Sequence, residues 1–155
     1  MKKKPTIEPL MKDTYLAVIR NSLGSGMFKQ LFMRLNGKKT DIMRNGDLSC
    51  AYYTSAILAL FGLIKEVHAT VDSTIADMKR NGWVEIQQPK VGCVLVWQET
   101  HFEKSGEMHK HIGFYVGKGR AISNSDKKRV IADHPYRIYN GRGLAQMLWH
   151  PNLDK

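Results

Sequence analysis

Two side chains in this sequence stand in settings that could support nucleophilic chemistry, Cys50 and His111. Cys50 follows the turn-like Gly46-Asp47-Leu48-Ser49 and opens the apolar run from Ala51 to Ile64. Asp47 and Ser49 are both good N-cap residues, so the pattern predicts a buried helix beginning within a residue or two of Cys50. Unpaired N–H groups and the positive end of the helix dipole stabilise a thiolate there, lowering a free-thiol pKa of about 8.5 toward neutrality. A cysteine in the middle of a buried helix would instead be an inert small apolar side chain.

The segment from His111 to Ser123 supplies the partner. His111, Gly113 and Tyr115 alternate with Ile112, Phe114 and Val116, the period of a strand with His111 at its head. Glycine inside a strand marks close approach by another backbone, and the helix carrying Cys50 is the expected neighbour. Gly117-Lys118-Gly119 predicts a hairpin loop returning the chain into Ala121 to Asn124. A cysteine on a helix N-terminus, a later histidine on a strand and a polar residue on the next strand form the cysteine-nucleophile arrangement.

That order and local context resemble the NlpC/P60 group of papain-like cysteine peptidases and amidases. The group's pattern is Asp-Cys-Ser-Gly-Phe on a helix, a Gly-Asp strand, and His-Val-Gly-Ile-Tyr-Val-Gly before a hairpin. Leu48-Ser49-Cys50-Ala51-Tyr52 stands at the first element, Pro89 to Trp97 at the second and His111 to Gly117 at the third. Ser49 replaces the aspartate before the nucleophile, Ala51 and Tyr52 replace the Ser-Gly pair, and Cys93 replaces the aspartate of the strand. No Tyr-x-x-Gly-Gly segment precedes Cys50. The resemblance covers positions 46 to 125, about half the chain.

It implies an α+β, papain-like domain in which N-terminal helices come first and the cysteine helix packs on an antiparallel sheet. It also implies a hydrolase in which His111 holds or takes the Cys50 proton, the sulfur attacks an amide carbonyl, and water releases the thioester. The implied substrate is a peptide or amide, with peptidoglycan stem peptides the group's usual one, and no cofactor is implied. The Cys50 N–H would donate to the oxyanion. For the third catalytic residue Ser123 falls where the group places a second histidine. Asn124 offers an amide oxygen to an imidazole N–H, although a regular strand points it away from Ser123. His134 could swing in from the following segment. Asn124 and Ser123 are both carried forward, Asn124 preferred.

The elements that must position these residues are expected within a single domain spanning 1–155. A helical part covers 1–45, the catalytic core 46–125, and a segment completing the sheet 126–155. Leu10 to Leu35 carries a helical period broken near Gly24-Ser25-Gly26, and Lys38 to Arg44 is a connector in which Asp41 is a solvated loop residue. Thr70 to Gly82 has acids early, bases late and an Asn-Gly stop, a short helix with dipole-matched charges, and His68 just before it is a surface or helix-entry residue rather than a ligand. Cys93 to Trp97 is wholly apolar, a central strand with Cys93 packed in the core. Gln98 to Lys110 is polar, an expected loop beside the site. His109 and His111 raise zinc binding, but no third ligand has a characteristic spacing.

The net charge of +10 comes in clusters at Lys2 to Lys4, Lys38-Lys39, Lys79-Arg80 and Lys127 to Arg129. Such a surface favours anionic polymers. A basic nucleic-acid-binding domain is therefore one alternative, and a catalytically inactive member of the fold that uses its cleft for binding is another. Lys2 to Lys4 has a signal peptide's charge, but Glu8, Lys12 and Asp13 interrupt any apolar region after it. The expectation is a cytoplasmic protein as encoded, with release to the cell wall by another route left open, two free cysteines and no transmembrane segment.

Overall fold

The computed structural model describes residues 1–101 and 106–155. Its elements run α1 (Met11–Asn21), β1 (Phe32–Leu35), β2 (Lys38–Asp41), α2 (Cys50–Leu60), α3 (Val71–Arg80), β3 (Val84–Glu85), β4 (Val94–His101), β5 (Met108–Gly117), β6 (Arg120–Ser125), β7 (Val130–Pro135), β8 (Ile138–Tyr139) and β9 (Arg142–Trp149), with a 3-10 turn at Pro151–Asp154. The class is α+β: every strand pairing is antiparallel. The main sheet has the order β3-β9-β4-β5-β6-β7, with β8 paired to β9. No helix among the described residues is long and apolar enough to cross a membrane.

α2 is apolar on most sides and is therefore buried, with Tyr53 and Leu58 fully enclosed. It lies on the sheet face built by Ile112, Phe114 and Ile122, where the Tyr53 and Phe114 rings meet edge to face at 5.7 Å. α1 packs alongside, its Tyr15 ring 5.8 Å from Phe114 and its hydroxyl donating to the Gly92 carbonyl. β4 sits between β5 and β9, and its first four residues are all buried, as an apolar run in a central strand requires. Cys93, just before it, is sealed in the core, and burial pushes its thiol up to about 11.

Three sequence expectations are corrected here. Phe28 to Leu35 is not helical: Phe32–Leu35 and Lys38–Asp41 form a hairpin around Asn36-Gly37, both at positive φ. That Asn-Gly pair between strands is a strong local hairpin signal, and it outweighs a helical period sustained by few residues. The expected loop from Gln98 to Lys110 is largely strand, with Thr100 opposite His109 and His101 opposite Met108; residues 102–105 of it lie outside the described residues. His68 does lie at the entry to α3, but its side chain is 13% exposed and turned inward rather than onto the surface. Its Nε2 lies 2.7 Å from the buried Asp77 carboxylate, which also accepts from the N–H groups of Lys65 and Glu66.

Asp41 is likewise an organiser rather than a solvated loop residue. Its carboxylate accepts from the N–H groups of Leu31, Met43 and Asn45 at 3.1, 3.0 and 2.7 Å, tying the hairpin to the turn that leads into α2. Partial burial raises its pKa, but the three N–H donors outweigh that and hold it below the ordinary value. Asp41→Ala is expected to lower stability by about 1–2 kcal/mol at neutral pH, since three donors lose one acceptor. A depressed folded pKa means that this stability is present above the unfolded carboxyl pKa and is lost as pH falls through the folded one. Wild type and variant should therefore converge in acid urea titrations, and a gap that persists there would contradict the assignment.

Candidate active site

Cys50 is the first residue of α2, as its sequence setting predicts. Ser49 occupies the N-cap position, yet its side chain makes no capping hydrogen bond and its Oγ is buried with no partner among the described residues. The first-turn N–H groups are thus not consumed by the cap, and Cys50 and Ala51 both line a cavity of about 430 Å³. Three successive residues at positive φ, Arg44, Asn45 and Gly46, bend the chain into this helix. The turn is clamped from the far end of the chain. Asn124 Nδ2 donates to the Gly46 carbonyl at 2.8 Å, and Arg129 Nη1 donates to the Arg44 and Asn45 carbonyls at 3.1 and 3.3 Å. Gly46 is required by this contact: at φ +95° a Cβ there would stand 2.9 Å from Arg129 Cβ.

His111 opens onto the same cavity from β5. The register puts it on the face shared with Trp97, Gly113 and Ser123, opposite the face on which α2 lies. The close neighbour of Gly113 is accordingly not the cysteine helix but β6. A Cβ at Gly113 would meet Ser123 Cβ at 2.6 Å and the Ile122 carbonyl at 2.7 Å. The missing side chain leaves room for Ser123 to lean toward the imidazole, and Ser123 Oγ lies 2.8 Å from His111 Nε2. The expected contact of Asn124 with the imidazole does not form. The alternation of β6 turns Asn124 to the other face, where it holds the turn before Cys50.

His134 extends the chain of hydrogen bonds, its Nε2 being 2.7 Å from Ser123 Oγ and its Nδ1 2.9 Å from the Pro135 carbonyl. A carbonyl only accepts, so Nδ1 of His134 carries the proton and, in the neutral ring, Nε2 accepts from the Ser123 hydroxyl. Ser123 Oγ then accepts from His111 Nε2–H. The consequence is a His111 tautomer whose Nδ1 bears a lone pair, the form a general base needs. Trp97 and Tyr139 wall this relay: Tyr139 stacks flat on His111 with ring centroids 3.7 Å apart, and Trp97 lies 5.3 Å from His111 and 5.2 Å from His134.

Burial in that enclosure, with the nearby charge of Arg142 and then His134, holds His111 well below the ordinary imidazole range. Burial also lowers His134. The Cys50 thiol moves against the expectation from the helix dipole. Burial pushes it up to about 11, outweighing the N–H groups of Ile112, Ala51 and Cys50 and the charge of Arg142. No side-chain hydrogen bond joins Cys50 to His111 among the described residues. The resting pair is therefore a neutral thiol and a neutral imidazole facing one cavity.

His109 pairs with Glu107 at 3.2 Å, and among the described residues no group of three metal-binding side chains converges. Tyr139 and Arg142 also line the cavity, and sequence reasoning gave them no role: an Asn140-Gly141 turn is legible between them, but only the pairing of β8 with β9 shows that it folds Arg142 back opposite Tyr139. No family model and no curated protein matches the chain.

Proposed function

We propose that this chain is a cysteine-dependent amide or peptide hydrolase with an NlpC/P60-like, papain-like architecture. The observation that carries the reading is the shared cavity of Cys50 and His111, with His111 Nε2–H engaged by Ser123 and Nδ1 left as the basic nitrogen. In the reaction His111 Nδ1 takes the thiol proton as sulfur adds to the carbonyl carbon, and the N–H of Cys50 donates to the forming oxyanion. The imidazolium returns that proton to the leaving amine, and a water activated by the same nitrogen hydrolyses the thioester. Ser123 and His134 hold the tautomer and are positioning residues. The resemblance implies peptidoglycan stem peptides as substrates, and a basic surface of net charge +10 suits an anionic polymer.

The neutral resting pair gives a direct test. Alkylation of Cys50 by iodoacetamide should climb with pH toward an inflection near 11, without the plateau on the acid side that a preformed thiolate–imidazolium pair shows. A plateau reaching into acid would overturn this ground state. Incubation with peptidoglycan fragments and mass spectrometry then reads hydrolysis, with Cys50→Ala as the control. A second reading is favoured by the high thiol pKa and the unjoined Cys50 and His111: an inactive member of the fold that binds its ligand in the cavity. Ligand binding that survives Cys50→Ala, without any acylation of the wild type, would establish it.

A further inference from the structure

β1 and β2 form a two-stranded sheet of their own, apart from the main sheet. Among the described residues neither strand packs extensively on a helix or on another strand, and the hairpin is held at its base, where the Ile42 N–H donates to the Leu31 carbonyl beside the Asp41 carboxylate. Every residue of β1 is exposed. Three of its four side chains are nonetheless apolar: Phe32 is 49%, Met33 45% and Leu35 51% exposed. The register gives both faces of the hairpin the same mixed character. Phe32 lies on one face with Arg34 and Lys39, and Met33 and Leu35 lie on the other with Lys38.

These cations stand apart from acids. No Asp or Glu occurs between Asp13 and Asp41, and the Asp41 carboxylate is committed to three backbone N–H groups. Arg34 donates to the Gly37 carbonyl, Lys39 sits 4.5 Å over the Phe32 ring, and no ion pair joins Arg34, Lys38 or Lys39 to a described carboxylate. Lysines often keep an exposed strand edge from pairing with other chains, but that role needs no Phe, Met or Leu beside them. A two-stranded hairpin with both faces in water is also only marginally stable by itself. Exposed apolar side chains interleaved with unpaired cations mark a surface suited to something both apolar and anionic.

We propose that the β1–β2 hairpin docks on an anionic lipid surface, with Phe32, Met33 and Leu35 at the acyl boundary and Arg34, Lys38 and Lys39 at the headgroup phosphates. Lysine and arginine stems lie along apolar surface while their charged heads stay in the polar layer, so one projecting arm satisfies both kinds of side chain on both of its faces. A nucleic acid would take the cations and leave Met33 and Leu35 in water. The docking does not depend on the hydrolase reading. Ile42 and Met43, directly after β2, line the cavity shared by Cys50 and His111, so the docked arm would hold that cavity beside the lipid.

The test is sedimentation of the full chain with vesicles, either phosphatidylcholine alone or an equal mixture with phosphatidylglycerol. Binding is expected to the mixed vesicles only, weakening as salt is added. Each base near such a surface contributes about fivefold, so Arg34→Gln, Lys38→Gln and Lys39→Gln together should weaken binding about a hundredfold. The net charge of +10 alone would instead act over the whole surface, and Lys79→Gln, Lys127→Gln and Lys128→Gln, exposed bases outside the hairpin, should cost no more than a few-fold together. Phe32→Ser, Met33→Ser and Leu35→Ser combined leave the charge untouched and should still weaken binding about tenfold or more. A Leu35→Trp reporter should be quenched by phosphatidylcholine brominated in its acyl chains, whereas the native Trp83, Trp97 and Trp149, all buried, should not.

Equal losses in the two sets of base substitutions overturn the proposal, as does a Leu35→Trp signal untouched by brominated lipid; the reporter decides alone should the serine variant not fold. Binding of a DNA duplex that needs Arg34, Lys38 and Lys39 and ignores the serine changes, with no vesicle binding, overturns it in favour of nucleic acid. A concentration-dependent dimer lost with Met33→Ser and Leu35→Ser, again with no vesicle binding, overturns it in favour of a second copy of the chain. None of these readouts involves hydrolysis, so each outcome is separate from the fate of that reading.

Discussion

His111→Ala is expected to slow acylation of Cys50 by about a thousandfold or more, the largest loss in this site short of removing the sulfur itself. The reason is the proton inventory. A thiol pushed up to about 11 is almost wholly protonated at neutral pH, so attack requires a base to remove the proton in the same step. Release of p-nitrophenolate from p-nitrophenyl acetate reads this acylation directly. Ser123→Ala should fall between the wild type and His111→Ala, because the base remains but nothing fixes which nitrogen carries its proton. Acidification should mimic these losses. Once His134 is protonated both of its nitrogens donate, Ser123 can no longer donate to it, and the order of protons along the relay is broken. Because burial lowers both histidines, the fall should come below the ordinary imidazole range. A His111→Ala protein that acylates within a few-fold of the wild type would defeat the hydrolase proposal.

Gly113→Ala is expected to be the most damaging single-methyl change in the sheet. The added carbon would meet Ser123 Cβ at 2.6 Å and a backbone oxygen at 2.7 Å, neither of which is the free end of a flexible side chain. Overpacking of this kind costs about 3 kcal/mol, at the upper end of its usual range. Spreading β5 from β6 also lengthens the contact between Ser123 and His111. Urea midpoints and acylation rates should therefore fall together, and an unchanged midpoint would show that the strands can yield at this point.

Much of this geometry follows from short-range sequence signals. The start of α2 at Cys50, the strand that carries His111 to Gly117 and the Gly117-Lys118-Gly119 hairpin are each set by neighbours within a few residues. α3 is capped by Thr70, which accepts from the Ser73 N–H, and is followed by Gly82 at positive φ, as its composition predicts. What escaped depends on pairing between distant segments. Ser123 and Asn124 are adjacent and chemically similar as partners, and only the register of β6 against β5 sends one to the imidazole and the other to Gly46. Arg142 is one of 24 lysines and arginines, and nothing local marks it as one that the fold buries with its Nε unpartnered among the described residues. The thiol pKa was misjudged for a related reason: a helix dipole can be read from local pattern, whereas desolvation depends on everything packed around the sulfur.

The clamp on the turn before α2 spans 78 residues to Asn124 and as many as 85 to Arg129. During synthesis the cysteine therefore emerges well before the groups that fix its approach to the cavity. A nascent chain carries Cys50 before the strands bearing Asn124, Tyr139 and Arg142 exist, and the cavity wall closes only once they have been made. Coupling the turn before α2 to strands made after it thus makes the geometry around Cys50 wait on segments synthesised later.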